Sequence, residues 1–99
     1  MHSEYPTDEE IKELVDLANK FDGVQATIDC LEEIYNTTYG TLNIEKDENG
    51  DTVIHLSTGG WSGNEQIMGE LQGTFFWARF WEAHYRGGHY KLTVEKECL

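Results

Sequence analysis

Residues 41–57, TLNIEKDENGDTVIHLS, hold two runs of alternating apolar and polar residues around Asn49-Gly50. Alternation at period two marks a strand with one buried face, and Asn-Gly is a strong hairpin signal. The register follows from the loop length that gathers the apolar residues on one face. A two-residue Asn49-Gly50 loop sets Ile44 opposite His55. A three-residue Glu48-Asn49-Gly50 loop sets Ile44 opposite Ile54 and Leu42 opposite Leu56, so all four apolar side chains share a face. That register is expected, with Gly50 at positive φ.

Two helices are expected before the hairpin. Thr7 and Glu10 have the spacing of a capping box, and Ile11, Leu14, Val15, Ala18 and Phe21 follow at helical intervals. Asp22 with Gln25 caps a second helix, whose apolar positions are Val24, Ile28, Leu31 and Tyr35. Cys30 falls inside that pattern as a small buried side chain, and two cysteines are too few for a disulfide framework.

After the hairpin, SGNEQIMGELQGTFFWARFWEAHYR reads as one long helix, opened by a Ser62/Glu65 capping box and ended by Gly87-Gly88. Gly69 and Gly73 leave a smooth groove on it for close packing. Phe75, Ala78, Trp81 and Tyr85 are expected to face the sheet, with Ile67 and Leu71 continuing the stripe and Trp77, Phe80 and His84 pointing elsewhere. A helix so aromatic is either central to the core or part of an interface, and HYKLTVEK then alternates as a last strand. The expected fold is α+β, one small domain over residues 1–99 in the order α-α-β-β-α-β, its small antiparallel sheet packed on the long aromatic-rich helix.

Nineteen acidic residues against seven basic ones give a net charge of −12. Residues 1–50 carry 13 acids and 3 bases (−10), and residues 51–99 carry 6 acids and 4 bases (−2). This field opposes nucleic acid, base stacking on the aromatics and anionic membranes, and it favours a basic partner. With no apolar run of membrane-spanning length and an acidic start, a soluble cytoplasmic protein is expected. Glu9, Glu13, Asp16, Asp29, Glu32 and Glu33 lie on the outward faces of the first two helices.

The glycine-rich stretch STGGWSGNE, residues 57–65, raises the question of a phosphate loop. It has no lysine after the glycines and places Glu65 in the first helical turn, which excludes a Walker-type site. Its structural reading is a tight turn at Gly59-Gly60 followed by a helix start, with Trp61 packed over the first turn. Its functional reading is a weak anion or ligand site at Gly59, Gly60, Trp61 and Ser62, or at the RGGHY corner through Arg86 and His89. Along a straight helix, about 23 residues put Ser62 roughly 35 Å from Arg86, so a shared catalytic set is not expected. His84 and His89 lack a metal-ligand spacing, and no metal, cofactor or catalytic residue is expected.

Taken together, STGGWSGNE, FFWARFW and RGGHY resemble a TGGWS-x-NE…FW…RGGHY pattern shared by small proteins of bacteriophages and prophages. The resemblance covers about two-fifths of the chain. It implies a phage or mobile-element setting, in the cytoplasm of a bacterial host, and supplies no catalytic residue. By analogy of size and charge the chain is similar to anti-CRISPR proteins. The expectation is a non-enzymatic module that binds a basic host surface through the six acids above, anchored by Trp61 or Trp77, as an inhibitor or nucleic-acid mimic. The alternatives are a small-ligand protein or enzyme using the loop or the corner, and a homodimeric assembly protein.

Overall fold

A computed structural model describes residues 5–86 and 88–99. The hairpin has the expected register. Strand β1 (Thr41–Lys46) pairs antiparallel with β2 (Thr52–Ser57), Ile44 facing Ile54 and Leu42 facing Leu56. The turn is closed by bonds from the Asp47 amide to the Asp51 carbonyl and from the Gly50 amide to the Asp47 carbonyl, with Gly50 at φ +85°. Only a residue without Cβ enters that region at little cost.

Helix α1 (Asp8–Ala18) begins with the expected capping box, both of its reciprocal bonds being present between Thr7 and Glu10. Helix α2 (Val24–Ile34) differs at its start. Its N-cap is Gly23 with no side-chain bond, and Thr27 donates its hydroxyl to the Gly23 carbonyl instead. Phe21 lies beyond the end of α1 and is 85% exposed rather than part of the helical stripe.

The long helix is corrected. Residues 62–86 form helix α3 (Ser62–Leu71), helix α4 (Phe75–Phe80) and strand β3 (Trp81–Tyr85), followed by β4 (His89–Val94) and a short 3₁₀ turn, Lys96–Cys98. Gly73 weakens the helix, and the buried Thr74 ends it: its hydroxyl donates to the Leu71 carbonyl at 2.6 Å and accepts from the Trp77 amide at 3.3 Å, starting α4 afresh. Trp81 onward then pairs with β4, which satisfies its backbone and suits its aromatic residues. The observed order is α-α-β-β-α-α-β-β, and the class is α+β as expected.

The four strands form one antiparallel sheet in the order β1-β2-β4-β3. Ile54, Leu56, Leu92 and Val94 point to one face, where Ile11, Leu14, Ile28, Leu31, Ile67, Leu71, Phe76 and Phe80 complete a single core. The aromatic stripe is therefore reversed: Phe76 and Phe80 are buried, whereas Phe75, Trp81 and Tyr85 are exposed. The break shifts the phase, since 67, 68 and 71 are followed by 76 and 80 rather than by 75 and 78. A Cβ at Gly69 would meet nothing within 4 Å, so no element packs on the expected Gly69/Gly73 groove. The other sheet face carries, beside the buried Val53, a Lys91–Glu82 pair at 2.9 Å and His55 3.6 Å from Glu45.

Candidate functional site

Amphipathic packing of α1 and α2 turns their acids outward. Helix α1 carries five acids and one lysine, and α2 carries three acids and no base. Glu9, Glu13, Asp16, Asp29, Glu32 and Glu33 are all exposed. The charges of Glu13 on α1 and Glu33 on α2 both bear on the Cys30 thiol of α2. Burial first, and then these carboxylates with Glu10, push that thiol up from 9.0 to about 11. Asp29 accepts a bond from Gln25 at 3.0 Å. Among the described residues none of the six acids forms an ion pair, although Lys12 and Lys20 border the same surface as Glu9, Glu13 and Asp16.

The glycine-rich stretch is built as a structural joint. Gly59 and Gly60 take φ +65° and +79°, and the Trp61 amide closes the turn on the Thr58 carbonyl at 3.3 Å. The expected Ser62/Glu65 capping box is absent. Trp61 is itself the N-cap of α3, without a side-chain bond, and Ser62 Oγ lies 2.8 Å from the Tyr5 hydroxyl. Trp61 does cover the first turn: a Cβ at Gly63 would lie 2.4 Å from its ring. Its ring also contacts those of Tyr5 and Tyr39, with centroids 4.9 and 5.4 Å away.

Beneath the loop lies a polar staple that residue spacing does not reveal. Asn64 is fully buried, accepts from the Asn36 amide at 3.0 Å and donates to the Asn36 carbonyl at 2.8 Å. The equally buried Tyr35 donates its hydroxyl to the Ser57 carbonyl at 2.6 Å, and burial raises the phenol well above its ordinary range. The end of α2 is thereby tied to the end of β2 and the start of α3. The one signal in the sequence is an asparagine in the first turn of a helix, which is more often read as a surface residue.

Because the long helix is broken, the RGGHY corner is not remote from the loop. His89 pairs with Ser57 in the β2–β4 register, and Gly88 and Tyr90 share a shallow hollow with Thr58, Glu65, Met68 and Gln72. The loop and the corner are therefore neighbours, contrary to the separation expected along one straight helix. Even so, the recorded partner of Ser62 is Tyr5, not a histidine, and His84 is stacked on Tyr90 at 4.4 Å. Gly88, at φ +79°, is left-handed in the turn from β3 to β4 rather than at the end of the expected long helix, while Gly87 lies outside the described residues. No group of three or more metal-ligating side chains gathers among the described residues. Nor is any helix among them long and apolar enough to cross a membrane.

Of the two expected anchors, Trp61 is half-buried within its aromatic stack and Trp77 is half-buried against the core, edge-on to Tyr90 at 5.3 Å. The most exposed aromatic rings are Phe21 and Phe75. The chain matches no family model, no curated protein and no solved structure.

Proposed function

We propose that the protein is a non-enzymatic, phage-encoded binding module whose acidic helical face docks on the basic surface of a host protein. The observation that supports this most is the set of six exposed carboxylates on two packed helices, none of them in an ion pair among the described residues. A basic surface that normally holds nucleic acid is the natural complement of such a field, which makes a nucleic-acid-handling or defence factor the class of target and mimicry the mode of inhibition. The resemblance to phage proteins and the analogy of size and charge with anti-CRISPR proteins favour the same reading. Trp61, flanked by Tyr5 and Tyr39, supplies apolar area for the contact.

The test is affinity capture from a nuclease-treated bacterial lysate at low and moderate salt. Wild-type protein is run beside a Glu13→Lys/Asp29→Lys/Glu33→Lys variant. A basic host protein held by the wild type, released by salt and missing from the variant is the expected result. Retention of the same proteins on both at low salt overturns the electrostatic reading.

A second reading rests on the hollow that joins the loop to the corner, a site for a small polar ligand. There, a change to an exposed lining residue, Gln72→Ala, abolishes ligand binding in a protein that remains folded. A screen of small ligands that produces no shift at Thr58, Gly88 or Tyr90 removes it.

A further inference from the structure

A groove beside the acidic helices has basic rather than acidic side chains as the charged part of its lining. It lies where α1 ends, α2 begins and α4 crosses them, and it encloses about 190 Å³. Buried Val24, Phe76 and Phe80 form its floor, and the rings of Phe21 and Phe75, 85% and 66% exposed, form its rim. The Asn19 side chain fixes the rim by accepting the Phe75 amide at 3.1 Å.

Two of the seven basic residues, Lys20 and Arg79, line this groove. The Arg79 guanidinium is held against aromatic rings, 4.9 Å from the centroid of Phe21 and 4.7 Å from that of Phe80. Of its five N–H donors, one is engaged among the described residues, with Cys98 Sγ at 3.5 Å. In a chain with 19 acids, no carboxylate among the described residues lies within ion-pair distance of Arg79 or Lys20. Rings that take the faces of a guanidinium leave its in-plane donors pointing outward, in the fork geometry that receives a carboxylate.

We propose that this groove binds a polypeptide segment of a partner that carries one carboxylate beside a large apolar side chain, of which a chain-terminal aromatic residue is the simplest form. The side chain enters the hollow and the carboxylate meets Arg79, with Lys20 adding attraction. The volume is below the range of about 300–1,000 Å³ typical of small-molecule pockets and suits one side chain. Phe21 and Phe75 leave apolar area that a longer chain covers and a small acid does not. The net charge of −12 limits the occupant to a single carboxylate, because every further one is repelled. This proposal stands independently of the acidic-face reading.

The test uses the full chain, ¹⁵N-labelled, titrated with acetyl-Gly-Ser-Gly-Phe as the free acid, the same peptide as its amide, and acetylphenylalanine. Expected are amide shifts confined to residues 18–24 and 75–80, with the free-acid peptide binding about tenfold tighter than its amide. The exposed Arg79→Gln change removes that preference while the spectrum stays dispersed, and Phe21→Ser, at a surface position, weakens both peptides. Absence of localised shifts, or equal affinity for acid and amide, overturns the proposal. So does equal affinity for acetylphenylalanine, which assigns the groove to a small acid. Concentration-dependent broadening of the same residues without peptide assigns it to a second copy of the chain and overturns it too.

Discussion

Asn64 shows how a single residue decides what a conspicuous motif is for. Its side-chain amide holds both the backbone N–H and the backbone C=O of Asn36 and fastens the glycine-rich loop to the end of α2. Asn64→Ala leaves the buried Asn36 amide without a partner, its carbonyl keeping the Gly40 amide at 3.2 Å, and is expected to cost about 1–3 kcal/mol, read from urea denaturation. Cys30 makes a second, pH-dependent statement. Its folded-state pKa of about 11 stands above the ordinary 9.0, so the folded form holds its proton longer than the unfolded chain does. The corresponding stability is complete below pH 9 and is lost as pH rises through 11. Between pH 8 and 10.5 the wild type is expected to lose up to about 2 kcal/mol more than Cys30→Ala. Parallel losses in the two proteins contradict the burial of this thiol beside Glu13 and Glu33.

At the scale of elements, legibility depended on whether the deciding interaction was local. The hairpin register could be read because Leu42, Ile44, Ile54 and Leu56 must share a face, and α1 could be read because Thr7 and Glu10 satisfy each other within one turn. The break at Gly73-Thr74 could not. Residues 75–86 are compatible with a helix by composition, and what draws Trp81–Tyr85 into a strand is pairing with β4, a tertiary effect. The Ser62/Glu65 box failed for a related reason, since Ser62 turns to Tyr5 from outside the helix. The two loop glycines separate geometry from space. A Cβ on Gly59 would lie 1.6 Å from the Tyr39 carbonyl oxygen, whereas one on Gly60 would meet nothing within 4 Å. Thermal unfolding is expected to show Gly60→Ala destabilised by about 1–2 kcal/mol, the cost of its positive φ alone, and Gly59→Ala by clearly more.

For the whole molecule, class and charge were legible and the arrangement of sites was not. Alternating and helical periods in one short chain define an α+β domain, and outward acids follow from amphipathic packing of two helices. The groove at Arg79 was invisible, because Phe21, Phe75 and Arg79 come together only through the packing of α4 against the α1–α2 corner. The molecule thus presents an acidic helical face and, beside it, an apolar groove with a cationic rim. The most direct measurement of the central claim is the association rate of the captured partner with wild type and with Glu13→Lys/Asp29→Lys/Glu33→Lys at low ionic strength. An acidic face that steers binding predicts an association rate at least tenfold slower in the variant and a difference that shrinks as salt screens it, on the order of what steering supplies elsewhere. Equal rates for the two proteins at low salt contradict it.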